Sequence, residues 1–302
     1  MENSASADLR RPSRVFLGIS LAVMLLLWAF NYILGKVALR HMDPVTLVCA
    51  RFVVATAIVV AIYFASPNRV RPQSKDIWPF VYLGLFNVIM NQGLFTIGLN
   101  YTSSGHSAII VSSGPIFILI LAWLLRLEHL SPGKILGMLI CFGGIMLLET
   151  GSGSVRNSPF LKGDAISLFG TIGFALYVVF GKRIAAEYDA ISMTTFSTVA
   201  ASVIVLPLIV RQAVHLDWGS VGWAGWSAMF YMAAGSSIAA YLIFYWALRH
   251  MTASRIGALC YFQPIIVILL ADAFLGEHPT RHLLLGTLLV LLGVILAERA
   301  PA

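Results

Sequence analysis

The sequence predicts an all-α membrane protein of ten transmembrane helices, arranged as two inverted five-helix repeats. Three observations predict it: an apolar composition, ten apolar windows of spanning length, and a second half that overlays the first. Of 302 residues, 59% are hydrophobic and 11% charged, with a mean hydropathy of +0.87. A soluble domain carries about 45–50% apolar and about 25% charged residues, so water is not the main solvent here. The net charge of +7 comes from Lys and Arg residues that separate apolar stretches instead of forming one patch. They read as topology signals and not as a nucleic-acid footprint. Cys49, Cys141 and Cys260 each lie inside an apolar stretch without metal or CxxC spacing, which makes them packing residues.

Residues 1–12 form a short cytoplasmic tail. The first apolar run, Val15 to Leu34, continues into Gly35 and Lys36 with no small-residue cleavage site, so it is a retained span and not a cleaved signal. A bilayer core of about 30 Å needs about 20 residues at about 1.5 Å each. Windows of that kind fall at 15–38, 45–65, 77–99, 105–125, 133–149, 163–184, 191–210, 225–248, 255–274 and 283–297. The third and fourth must be separate. No charged residue occurs from Ile77 to Leu125, and a helix of that length would run about 74 Å. The cut belongs in Asn100-Tyr101-Thr102-Ser103-Ser104-Gly105, the polar, turn-forming cluster inside the run. With both termini in the cytoplasm, 13 of the 20 Lys and Arg residues lie inside and 6 outside, with Arg51 within a helix. That is the favoured orientation.

A shift of 149 residues overlays Tyr82 on Tyr231, Phe95 on Phe244, Leu99 on Leu248, Pro115 on Pro264, Glu128-His129 on Glu277-His278, Gly137 on Gly286 and Gly144 on Gly293. A shift of 146 sets Gly35-Lys36 on Gly181-Lys182 and Asp43 on Asp189. Each half, 13–149 and 163–298, thus holds five spans, and an odd number forces the second half to enter the membrane the other way up. Inverted repeats are a common plan for alternating access around a central site.

The stretch Leu99-Asn100-Tyr101-Thr102-Ser103-Ser104 followed by Pro115, Glu128, Gly137 and Gly144 resembles the EamA-type drug/metabolite transporter superfamily. The second copy runs from Ala247 to Ser254 and on to Pro264, Gly276-Glu277, Gly286 and Gly293, and Trp28, Asn31, Lys36 and Arg51 match the first two helices. Leu127-Glu128 departs from the usual Gly-Glu pair, at a helix end. Within the superfamily the chain is most similar in impression to bacterial amino-acid exporters of the YddG type. The resemblance implies a multi-pass protein of the bacterial inner membrane that exports small metabolites, amino acids foremost, with no cofactor and no ATP. Other metabolites, drugs or nucleobases are the alternative cargo.

Polar residues inside spans are costly and therefore informative. Trp28, Asn31 and Tyr32 share a face of the first span, an aromatic wall beside an amide that suits a zwitterion; an Asn can equally tie two helices together. The third span offers Tyr82, Asn87, Asn91 and Gln92, and its counterpart, the eighth, offers Tyr231, Ser236, Ser237, Tyr241 and Trp246. Matched polar depths point to a cavity lined by both, although a structural role is open to each residue. Ser112, Tyr177, Tyr261 and Gln263 complete the candidate contacts, and Pro115 and Pro264 are expected to kink their helices beside the site. Arg51 reads as snorkelling to the outer surface, with a substrate carboxylate as the competing partner. No Asp or Glu falls at mid-span, so movement is expected to be facilitated or weakly coupled.

Gly137 and Gly144, with Gly286 and Gly293, promise close packing of the fifth and tenth spans. The GxxxG of Gly133 and Gly137 does not by itself make a dimer, and the chain reads as a monomer. No HExxH, GxSxG, paired mid-span aspartates or P-loop occurs, which argues against an intramembrane enzyme, a metal site or an ATP-driven pump. A channel would show a filter loop or a ring of like charges, and neither is visible.

Overall fold

A computed structural model of the chain describes residues 13–67, 69–126, 129–150, 158–184, 187–248 and 262–300, and among these every regular element is helical. Helix α1 (Arg14–Leu39) starts where the Ser13 side chain accepts from the Phe16 amide. Asp43 caps α2 (Pro44–Ala65), and Asp189 caps α7 (Ala190–Ile204), each through two amides. The aspartates that coincide at a shift of 146 are thus equivalent helix starts, satisfying amides that have no partner in the first turn. Helix α3 (Ser74–Asn100) and α4 (Ser104–Leu124) are separated at the turn the sequence marks, with Ser103 capping α4 through the His106 amide. Then follow α5 (Pro132–Glu149), α6 (Leu161–Ile184), α7, α8 (Leu206–His215), α9 (residues 222–248), α10 (Gln263–Leu275) and α11 (Arg281–Arg299), the last capped by Thr280.

One predicted span needs correction. The window 191–210 is not one helix: α7 and α8 meet at a bend of 64°. Pro207 stands in the first turn of α8, where it can supply no amide to continue the ladder. Among the described residues, eight helices are long and apolar enough to cross a membrane, nine if α7 and α8 count as one span. Of the window 255–274, residues 262–274 are described, and all but the first of them lie in the 13-residue α10. Residues 1–12, Glu128 and Cys260 lie outside the described residues; Cys49 and Cys141 are buried and free.

The ends of the helices sort into two groups. At the end where α1 begins, here proximal, Lys75 pairs with Glu187 at 3.2 Å and the Gln73 amide donates to the Tyr188 hydroxyl at 3.0 Å. At the opposite, distal end, the Lys36 ammonium donates to the Thr102 carbonyl and the Ser104 amide to Glu277 at 2.8 Å. Helix α6 begins at this distal end, with Gly163 pressed against Tyr101 and Thr102, so it runs opposite to α1.

Close approach is made by small residues, as it must be where lipid and side chain are equally apolar. Helices α5 and α11 pack along their length through Gly137, Gly144, Gly286 and Gly293. A Cβ on Gly137 would lie 2.5 Å from the Ala297 amide nitrogen and 2.6 Å from the Gly293 carbonyl. On α11 the opposite face presents Leu285, Leu288 and Leu292, each at least half exposed, a surface suited to acyl chains. The expected glycine seam is therefore intramolecular.

Gly137→Ala should lower the apparent melting midpoint of the detergent-purified protein by several degrees, in keeping with the roughly 1–3 kcal/mol of overpacking. Gly143→Ala should leave it unchanged, because nothing lies within 4 Å of that Cβ.

Candidate functional site

Helices α3 and α9 share a departure from regular α geometry. Residues Leu85–Gly93 of α3 and Met232–Ala239 of α9 are π-helical, and the two stretches overlap in the 149-residue register. A π stretch re-aims side chains and leaves backbone out of the usual ladder, and such stretches recur at functional sites. Here they turn Asn87, Asn91 and Gln92 from one side, and Ser237 from the other, toward a shared centre.

Two connected polar groups meet there. The Tyr241 hydroxyl donates to Asn87 Oδ1 at 3.0 Å and accepts from Asn91 Nδ2 at 3.2 Å, while Asn91 Nδ2 also reaches Asn87 Oδ1 at 3.2 Å. Trp28 of α1 closes this group edge-on, its ring 5.6 Å from that of Tyr241 and 5.8 Å from Phe244. Beside it Arg51 of α2 donates to Ser237 Oγ at 2.9 Å, Gln92 Oε1 at 3.1 Å and Thr96 Oγ1 at 3.3 Å, and Ser237 donates to Gln92 Oε1 at 2.7 Å. All of these partners are neutral, and among the described residues no carboxylate pairs with Arg51.

Snorkelling by Arg51 is therefore incorrect. The residue is 2% exposed, among the largest fully buried side chains. Three acceptors inside the bundle lie within its reach, and these replace the interfacial water that a snorkelling chain would seek.

The structure unites Trp28, Asn87, Asn91, Gln92, Ser237 and Tyr241 with Arg51, and adds Thr96. Others stand apart. Tyr82 packs against Phe86 and Phe180 and lines a proximal cleft with Lys75, Asp76 and Glu187. Tyr177 is buried near that end among Phe80, Tyr188 and Met193. Tyr32 stacks edge-on with Phe95 at 4.9 Å, in the core between α1, α3, α4 and α10. Ser112 donates to the Ile109 carbonyl of its own helix at 2.7 Å. Asn31 is buried with Oδ1 lacking a hydrogen-bond partner. Pro115 follows an interruption of α4 at Ser113, and Pro264 lies in the first turn of α10 after the half-buried Gln263. Tyr261 lies outside the described residues.

A second polar cluster, missed in the sequence, occupies the distal end. His106 Nδ1 lies 2.7 Å from Asp164 Oδ2, and the Thr102 hydroxyl donates to Asp164 Oδ1. Glu149 completes the group: one side-chain N or O atom from each of His106, Glu149 and Asp164 lies within 4.8 Å of the others. A cleft of about 300 Å³, lined by Lys36, Thr102, His106, Glu277 and His278, reaches the His106 side of this cluster. In the sequence these residues stand at the ends of spans, where charge is ordinary, and nothing local signals that they converge.

A family model described as the EamA-like transporter family matches the chain twice, at residues 16–150 and 161–298. An uncharacterized transporter of Archaeoglobus fulgidus is 26% identical, over 93% of this chain and 98% of its own length. The uncharacterized transporter YyaM of Bacillus subtilis is 28% identical over 88% of each chain. The uncharacterized inner membrane transporter YedA of Escherichia coli is 21% identical over 92% of this chain and 89% of its own. A crystal structure with 17% identity superposes with a TM-score of 0.65, over 94% of this chain and 97% of that one, which shows the shared fold. With both copies of the model covering nearly the whole polypeptide, this multi-pass membrane protein belongs to the EamA-like transporter family.

Proposed function

We propose that the protein is a secondary transporter that exports small metabolites bearing a carboxylate, neutral and aromatic amino acids foremost, by alternating access between two inverted halves, 13–149 and 163–298. The observation that carries this reading is Arg51: a guanidinium buried in the bundle and held, among the described residues, by the neutral side chains of Gln92, Thr96 and Ser237. A buried cation in a membrane ordinarily finds a counter-charge. A substrate carboxylate supplies it and leaves again. The adjoining Trp28, Asn87, Asn91 and Tyr241 offer an aromatic wall and amide oxygens to the rest of an amino acid.

The bonds from Arg51 and Gln92 to Ser237, and from Asn87 and Asn91 to Tyr241, join α2 and α3 of the first half to α9 of the second. Rocking of the halves has to exchange these bonds for bonds to substrate. Ten crossings, both termini in the cytoplasm and a place in the bacterial inner membrane agree with the Lys and Arg distribution and with relatives from Bacillus subtilis and Escherichia coli. The glycine seam of α5 and α11 is used within one chain, which supports a monomer.

Purified protein in proteoliposomes should show saturable counterflow of labelled neutral and aromatic amino acids, and the matching amines without a carboxylate should fail to compete. Equal competition by the amines would rule out the Arg51 assignment, and no amino-acid signal would move the cargo to another class of metabolite. Arg51→Lys should keep the protein monodisperse but reduce exchange about 10- to 100-fold, the range expected for about 1.5–3 kcal/mol from hydrogen bonds to a charged group.

A further inference from the structure

The distal cluster contains more negative charge than its neighbours neutralise. Glu149, 4% exposed, and Asp164, 3% exposed, come from the adjoining ends of α5 and α6. Glu149 Oε2 is buried with no hydrogen-bond partner. Asp164 has both oxygens engaged, by Thr102 and His106. The nearest lysine from α1, Lys36, donates to the Thr102 carbonyl and faces Glu277 across the cleft. From α6, Lys162 is turned away, its ammonium 3.7 Å over the Tyr101 ring. From the loop after α10, Glu277 accepts from Ser104, and His278 pairs with Asp272. No lysine or arginine pairs with Glu149 or Asp164 among the described residues.

Two carboxylates this close and this dry cannot both stay ionised without a cation between them. A proton is the smallest cation that meets the need. His106 contacts Asp164 on one side and lines the cleft on the other, so its ring is placed to pass protons between the distal surface and the buried pair.

We propose that Glu149, Asp164 and His106 form a buried proton-binding site that couples transport to the proton gradient. In the step, a proton from water in the cleft passes through the His106 imidazole to the carboxylate pair, and no other bond changes. The protonated pair lets the ends of α4, α5 and α6 stay together as seen here; its loss sets the two carboxylates against each other and favours opening of the distal end. The proton site stands on this cluster alone, whereas its coupling to transport rests on the transporter reading above. The sequence expectation of weak coupling considered mid-span acids alone, and this pair sits at the ends of its helices.

The deciding measurement reads the site without any substrate. Infrared difference spectra of the purified protein, taken as pH is raised, should show loss of a deuterium-sensitive protonated-carboxyl stretch in the wild type. That signal should vanish in both Glu149→Gln and Asp164→Asn and persist in His106→Gln. Its persistence in Glu149→Gln and Asp164→Asn, its absence from the wild type, or a stoichiometric metal in elemental analysis would each overturn the proposal. Glu149→Gln mimics the protonated acid, so it should melt no lower than the wild type, and a large drop at every pH would count against the site. In proteoliposomes, exchange by the wild type should change with pH by up to about tenfold per unit, the limit for one linked proton, and Glu149→Gln should flatten that profile. A flat wild-type profile beside a positive infrared signal overturns the coupling alone; no exchange of any tested substrate beside that signal tells against the transporter reading and not the proton site.

Discussion

Hydrocarbon offers no hydrogen-bond partners, and most of this architecture follows from that. A chain so apolar must satisfy its amides within helices, and its helices cannot be driven together by excluding water. They associate through close approach instead. Gly137, Gly144, Gly286 and Gly293 let α5 and α11 lie backbone to backbone, and Gly98, Gly163 and Gly173 do the same for α3 and α6. Asp43, Ser103, Asp189 and Thr280 meet the amides left over at helix starts.

The same constraint makes the interior polar groups conspicuous. Every hydrogen bond in the central group has to be made inside the bundle, and Arg51 is the extreme member because its charge requires several acceptors at once. Gln92 is its hinge: its Oε1 accepts from both Arg51 and Ser237, tying three helices from the two halves through one atom. Such a knot fastens the two halves to each other at this level.

The π stretches of α3 and α9 give the pseudo-symmetry a functional sense. The register that overlays Asn87 on Ser236 and Gln92 on Tyr241 puts polar side chains at the same level in both halves, although the residues differ. The site is symmetric in depth and asymmetric in chemistry: amides and a guanidinium on one side, hydroxyls on the other.

Fold class, the turn between α3 and α4, the repeat and the glycine seam were legible in the sequence because each depends on local pattern: apolar length, a polar break and residue spacing. Asn87, Asn91, Ser237 and Tyr241 stood out there as polar side chains inside apolar runs, while their meeting at one level of the bundle came from the tertiary structure. The bend between α7 and α8, the burial of Arg51 and the convergence of His106, Glu149 and Asp164 were decided by the tertiary structure. For the bend, Pro207 permitted a break, and beyond it α8 lies against α2, where the Thr46 hydroxyl donates to Gln212. For the charges, a position near a helix end is cheap if it faces water and dear if three ends meet. One-dimensional spacing measures distance along a helix; it does not say which neighbours close over its end.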